Sequence, residues 1–292
     1  MSVDEKSKSP SQSPKNSGVH PRGTGDSIGA SNVSRPVALS IVIPAYNEER
    51  RLPTSIRDIR SFFGRFVLEM EVLVVVEKSS DRTVELARLA AENDPMIHII
   101  DNQVQRGKGF AVRSGMIQAT GEYIFYMDAD LSTPLAEVLK FLAHFSDHPE
   151  TSVIAGSRAM AKSQVLKKQT WVRRNLGRGF NRFVRVLGVP GISDTQCGFK
   201  AFRTKAAHEI FERQKLDGFA FDVEVLILAD RLGFKTDVVP VKWVNSTDSK
   251  VNIFVDPIKM LWDLVRVRRI VQRTLQAQPL APRGESSRSP RS

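Results

Sequence analysis

Five short apolar runs, each followed by residues with helical spacing, dominate the first half of this chain: 38–44, 71–76, 97–100, 123–127 and 151–155. They are rich in β-branched and aromatic residues and show almost no polar alternation, the pattern of strands covered on both faces. Between them apolar residues recur at helical intervals. Ile56, Ile59, Phe62, Phe63 and Phe66 follow Pro53, and Val84, Leu86, Ala87 and Ala90 follow Asp81, a helix cap. Further helices are expected over 107–119 and 134–145. Strands and helices alternating at this spacing predict an α/β fold, a mostly parallel, doubly wound sheet with helices on both faces. The second half is less regular. Strands are expected over 198–203 and 235–243, a helix over 221–232, and an amphipathic basic helix over 255–275. The stretch 165–187 sets apolar residues at helical intervals against arginines.

An open α/β sheet binds ligands outside the carboxyl ends of its strands. The fourth run ends there in Asp128-Ala129-Asp130. Unpaired charge is costly to bury, so these carboxylates must face water or a cation. They are candidates for holding a divalent metal that in turn holds a diphosphate. The alternative is a solvated strand-to-helix turn, with Asp130 or Ser132 capping the helix that follows.

Charge points the same way. The chain of 292 residues carries a formal charge of +11, unevenly spread. Between Gly156 and Gly188 there are nine Lys or Arg and no acid, and from Arg266 onward seven Arg against one Glu. Such patches suit phosphate-bearing partners, a nucleotide or an anionic membrane, and nucleic acid is not the expected one. Cys197 is the only cysteine, which excludes an intramolecular disulfide and a cysteine-based zinc site and sets a reduced, cytosolic expectation. No apolar run approaches the roughly 20 residues of a membrane span. Residues 1–36 and 276–292 have the composition of disordered tails. A single catalytic domain is expected over 37–254.

At this point six motifs, in order, resemble those of the family 2 glycosyltransferases of GT-A fold. They are Ser-Ile-Val-Ile-Pro-Ala-Tyr-Asn-Glu-Glu (40–49), Arg106-Gly107-Lys108-Gly109, Asp128-Ala129-Asp130, Gly156-Ser157-Arg158, Asp194-Thr195-Gln196-Cys197-Gly198-Phe199-Lys200 and Ser249-Lys250-Val251. The later ones are similar to the dolichyl-phosphate glucosyltransferases, whose close relatives are the dolichyl-phosphate mannose synthases.

The resemblance implies an inverting transfer of a hexose from a nucleoside diphosphate sugar to a polyprenyl phosphate. Pro44, Ala45, Tyr46, Asn47 and Glu48 would cradle base and ribose. Arg106 and Lys108, beside glycines at a helix N-terminus, suit the diphosphate. Asp128, Ala129 and Asp130 would meet the nucleotide through Mg²⁺ or Mn²⁺, hard cations that choose oxygen ligands. Arg158 is the first candidate for the acceptor phosphate, with Arg173, Arg174, Arg178 and Asp194 near it. Phe199 and Cys197 are expected to pack. Asp222 would orient or assist the nucleophile, and Lys250 would close on the diphosphate. One departure stands out. Where the family reads Asp-Asp-Gly-Ser after the second strand, this chain has Val76-Glu77-Lys78-Ser79, so Glu77 would have to reach the base in place of an aspartate while Lys78 replaces a glycine, and UDP is the favoured but open choice. The enzyme is expected on the cytoplasmic membrane face, held by the 255–275 helix or by a membrane-anchor protein. A soluble or protein acceptor, or a non-catalytic nucleotide or membrane binder, are the other readings.

Overall fold

The apolar runs become strands because β-branched side chains, stiff at χ1, pack well on a pleated surface. In the computed structural model, which describes residues 38–92, 94–160, 164–165, 192, 194–244 and 256–277, β1 (Leu39–Ala45) is central. It pairs in parallel with β2 (Met70–Val76) on one side and β4 (Tyr123–Met127) on the other. Beyond β2 lies β3 (Ile97–Asp101), also parallel. Beyond β4, β7 (Phe199–Arg203) runs antiparallel, followed by β5 (Val153–Ser157) and β8 (Thr236–Pro240), parallel to each other. The described strands of this sheet thus read β3-β2-β1-β4-β7-β5-β8. A separate parallel pair joins β6 (Gln164–Val165) to β9 (Lys242–Trp243).

Successive side chains of a strand point to opposite faces, so each strand feeds two cores. Ile41 and Ile43 join Val72, Val74 and Phe125 against Ile56, Ile59, Ala87, Val138 and Phe141 of α1 (Leu52–Phe63), α2 (Thr83–Ala91) and α4 (Ala136–Asp147). Val42 joins Val75, Ile124 and Tyr126 on the other face. There they meet Val112, Met116, Ile210, Leu226, Leu264 and Val267 of α3 (Lys108–Gln118), α5 (Thr204–Arg213), α6 (Phe221–Leu232) and α7 (Asp256–Ala277). Burial at this depth stabilises by about 1.5–3 kcal/mol per large aliphatic side chain.

The doubly wound sheet is as expected, and five details differ from the sequence reading. Helix α5 was not foreseen, although Ala206, Ala207, Ile210 and Phe211 bury one stripe of it. It follows β7 without a loop, so no turn residue marks its start. The single strand expected over 235–243 is two. β8 ends in register with Ser157, the last residue of β5, whose carbonyl accepts the Val241 N–H at 3.0 Å, and Lys242–Trp243 then pair with β6 instead. Phe66 lies beyond the end of α1 and is 42% exposed. Of the helical stretch expected over 165–187, Val165 lies in β6 and the rest is outside the described residues. The expected Asp81 cap of α2 is not formed: Arg82 is the N-cap residue and no side chain caps the helix, while Asp81 Oδ1, one residue earlier, accepts the Thr83 N–H at 3.0 Å in a local turn.

This topology brings the carboxyl ends of β1, β2, β4 and β5 to one edge. The start of β7 lies there too, because Phe199 stands opposite Met127. The strand order reverses about β1, which makes that edge the switch point where open sheets of this kind hold ligands.

Candidate active site

Asp128 and Asp130 leave the end of β4 through a tight turn. The Ala129 carbonyl accepts the Ser55 hydroxyl of α1 at 2.6 Å. Leu131 takes a positive φ of 48° and returns its N–H to the Asp128 carbonyl at 3.1 Å. The Asp130 carboxylate accepts the Ser132 N–H at 3.0 Å, closing a local turn; helix α4 starts later, at Ala136, and no side chain caps it. The capping alternative therefore falls. Each carboxylate faces a cation. Lys108 Nζ lies 2.5 Å from Asp128 Oδ1, and Arg51 lies 3.9 Å from Asp130 Oδ2 while gripping both oxygens of Glu48 at 2.6 and 2.7 Å. Burial opposes the Lys108 charge, yet Asp128, Asp222 and Asp130 together hold its pKa above the usual lysine value. Beneath Asp128 passes Gly198, where any Cβ would overlap the carboxylate.

Among the described residues no group of three or more His, Cys, Asp or Glu is placed to hold a metal. Two carboxylates at a turn still fit a hard divalent cation that takes its other oxygens from phosphate and water, as Mg²⁺ commonly does.

The basic turn lies opposite. Gly107 has a φ of 129°, open to glycine and strained for other residues, and α3 starts at Lys108. Glu77, expected as a base reader, is 3% exposed and bound to the basic turn. Its carboxylate accepts the Arg106 N–H at 3.1 Å and the Gly107 N–H at 2.9 and 3.0 Å. Position at the end of β2, against the β3–α3 connection, decides these partners. Burial raises the Glu77 pKa, against the pull of those two N–H groups. Arg106 donates to Asp217 at 2.6 and 2.9 Å. Pro44 and Ala45 are the last residues of β1, with Tyr46 half-buried after them. Asn47, at a φ of 53°, joins this end to the next loop: its Oδ1 accepts the Ser80 N–H at 2.8 Å and its own N–H donates to Ser79 Oγ at 3.0 Å. Glu48 is buried and held by Arg51.

On the side expected to meet the acceptor the cations are already paired. Arg158, one residue past β5, grips Asp194 with Nε and Nη2 at 2.9 Å each, and its N–H adds a third bond at 2.8 Å. The Arg158 guanidinium lies 4.8 Å from the centre of the Trp243 ring. Burial works against both charges, yet the pair raises the Arg158 pKa and lowers that of Asp194. Lys200 is wholly buried and donates to Asp222 Oδ1 at 2.5 Å and to the Cys197 carbonyl at 2.8 Å. The Tyr126 hydroxyl donates to the same Asp222 oxygen at 2.5 Å, and burial and Asp222 push its pKa well above the usual phenol value. Asp222, expected to face the nucleophile, is only 4% exposed and spent on this network. Phe199 packs on Phe125 and Phe141, and burial pushes the Cys197 thiol up to about 12.

Eleven of the expected residues, Pro44 to Glu48, Glu77, Arg106, Lys108 and Asp128 to Asp130, thus share the edge from β1 to β4. Arg158 follows β5, Asp194 precedes β7, and Asp222 lies in the first turn of α6. Arg173 and Lys250 fall outside the described residues. The sequence reading missed Arg51, Tyr126 and Asp217, and it noted Glu224 only as opening a helix beside Asp222. Only Arg51 left a signal, its three-residue spacing from Glu48.

The sequence profile of glycosyl transferase family 2 matches residues 40–211. The chain is 34% identical to a dolichyl-phosphate β-glucosyltransferase of Dictyostelium discoideum, over 80% of this chain and 74% of that protein. It is also 34% identical to the dolichyl-phosphate β-glucosyltransferase of Homo sapiens, over 79% of this chain and 74% of that one. Among solved structures it is similar to glucosyl-3-phosphoglycerate synthase from Mycobacterium tuberculosis in complex with Mn²⁺, UDP and phosphoglyceric acid. That likeness has a TM-score of 0.59 at 17% identity and covers 81% of this chain and 78% of the other. Mannosyl-3-phosphoglycerate synthase from Rubrobacter xylanophilus gives a TM-score of 0.58 at 18% identity over 87% and 79% of the two chains. The structural likenesses bear out the GT-A fold, and with the sequence likenesses they make this chain a member of glycosyl transferase family 2.

Proposed function

We propose that the protein transfers glucose from a nucleoside diphosphate sugar, UDP-glucose first, to a polyprenyl phosphate such as dolichyl phosphate, with inversion. The observation that carries this reading is the basic turn at Arg106 to Lys108 facing Asp128 and Asp130, in a chain so similar to dolichyl-phosphate β-glucosyltransferases. Tyr46 and Asn47 frame the base and ribose. Arg106, Lys108 and the N-terminus of α3 meet the diphosphate, where backbone N–H groups and the helix dipole favour negative charge. Asp128 and Asp130 would hold Mg²⁺ or Mn²⁺, which supplies charge stabilisation to the departing diphosphate. Arg158, its plane fixed by Asp194 and Trp243, faces the acceptor phosphate with Arg173 as a second contact, and Lys250 closes over the donor.

An acceptor phosphate oxygen forms the new bond to the anomeric carbon as the bond to the nucleoside diphosphate breaks, the leaving group taking the electron pair. Attack from the opposite face leaves a β-linked product. A phosphate acceptor is ionised near neutral pH and needs no strong base. An Asp222 engaged by Lys200 and Tyr126 agrees with that.

The acceptor lives in a bilayer. Among the described residues no helix is long and apolar enough to cross one. Helix α7 exposes Trp262 and Val265 beside Arg266, Arg268, Arg269 and Arg273, a composition suited to an anionic interface. We therefore read 37–254 as the catalytic domain and 255–275 as an interfacial helix, with a membrane-anchor protein as the other route to the surface. Incubation with radiolabelled UDP-glucose, Mg²⁺ and polyprenyl phosphate should give metal-dependent label in the organic phase. No such label from any of several sugar nucleotides would sink the reading.

A further inference from the structure

Asp217 lies in the 214–218 segment between α5 and α6, and that segment is seated on the phosphate turn. Its carbonyl accepts the Phe110 N–H at 3.2 Å. A Cβ on Gly107 would come within 2.6 Å of that carbonyl, and one on Gly109 within 2.7 Å of the Phe221 Cβ. The two glycines let the acceptor-side segment press directly on the start of α3. From α6, the Glu224 carboxylate accepts the N–H groups of Lys215 and Leu216 at 2.9 and 2.7 Å and so anchors the segment.

Arg106 is consequently fixed from three directions. Glu77 holds its backbone N–H, the Phe110 ring lies 4.3 Å from its guanidinium carbon, and Asp217 Oδ2 takes Nε and Nη2 at 2.9 and 2.6 Å. Arg113, 3.3 Å from the other Asp217 oxygen, keeps the carboxylate in place. A guanidinium has donors on two edges, and Asp217 occupies the Nε edge, leaving the Nη1 side of the fork to a ligand.

We propose that Asp217 is a positioning residue for the donor diphosphate, holding the Arg106 fork in the orientation in which it meets the phosphates. This rests on the reading of Arg106 as a diphosphate contact given above. An arginine that is already ordered loses less rotamer freedom on gripping a phosphate than a free one. The Arg106 side chain is half exposed, so its attraction to Asp217 is screened and competes little with a phosphate.

The test is a cycle of D217N, R106A and the double variant, with UDP binding in the presence of Mg²⁺ measured by calorimetry and UDP-glucose kinetics alongside. D217N should raise the UDP Kd and the UDP-glucose KM roughly five- to tenfold through lost ordering. A kcat within about twofold of wild type would mark lost uniform binding. D217E should recover part of the affinity, and the double variant should bind no worse than R106A. Wild-type binding by D217N, or a loss that adds in full to that of R106A, overturns the proposal. Wild-type binding by R106A would instead overturn the diphosphate role of Arg106 itself, and the proposal with it. If D217N does not fold, F110L takes its place: removal of the ring should weaken UDP in the same non-additive way, and an additive or absent effect rejects the idea.

Discussion

Asp128 and Asp222 each accept a lysine ammonium at 2.5 Å, from Lys108 and Lys200, yet the two pairs stand in different solvent. The Asp128 and Lys108 side chains are 28% and 20% exposed; those of Asp222 and Lys200 are 5% and 0%. Water decides what each pair can do. A partly hydrated pair can trade partners cheaply, so Asp128 can take a divalent cation while Lys108 turns to a diphosphate. A sealed pair cannot, because removing one member strands a buried charge. On the proposed function, the Asp128–Lys108 edge exchanges ions, whereas the Asp222–Lys200 pair in the core holds them.

The first prediction attacks the exchanging pair. Asp128→Asn should lower glucosyl transfer about a thousandfold, the equivalent of several kcal/mol of lost charge stabilisation. Its thermal midpoint should stay close to wild type, since a partly exposed pair contributes only about 0–1 kcal/mol to stability. Parallel activity and unfolding measurements check this. A large fall in stability would erase the distinction between the two pairs.

The second attacks the sealed pair. Lys200→Met should cost about 3–5 kcal/mol by leaving Asp222 uncompensated. In a domain of this size that is roughly 10 °C in Tm. Adding Asp222→Asn should restore much of the loss, because the stranded charge goes with it. Calorimetric unfolding of the single and double variants decides the matter. If Lys200→Met melts like wild type, Lys200 is not the structural cation its burial indicates.

This contrast in solvation also separates what could be read from the sequence from what could not. The strands at 38–44 and 123–127 were legible because residues covered on both faces have no polar alternation. Asp128 and Asp130 were legible as an edge feature because no core accepts two adjacent unpaired carboxylates. The partners of buried charges were not legible. Lys200 meets Asp222, and Arg106 meets Asp217 across 111 residues of sequence, only through the tertiary fold. Glu77 shows the limit most clearly. Its place at the end of β2 was evident, but the direction of its carboxylate depends on backbone N–H groups that the β3–α3 connection presents. Helix α5 escaped for a local reason, the absence of any turn between Arg203 and Thr204.

Glu224 offers the smallest and finest test, because it is a sealed carboxylate held by two backbone N–H groups. Burial pushes it up to about 7, with the N–H groups of Leu216 and Lys215 and the charges of Arg113 and Lys215 pulling the other way. A folded-state value above the unfolded one means that the native state binds the proton more tightly. The stability this contributes is complete below the unfolded carboxylate range near pH 4 and is lost as pH rises through about 7. The wild-type melting temperature should therefore carry a downward slope of about one proton between about pH 5 and 7, flattening above that. Glu224→Gln cannot titrate and should lack that component, although its amide offers one acceptor where the carboxylate offered two and its overall stability should be lower. The slope, not the level, is the readout. Equal slopes for both proteins would mean that the two N–H groups outweigh burial and keep Glu224 ionised, placing it with the hydrated carboxylates of the donor edge in behaviour if not in position.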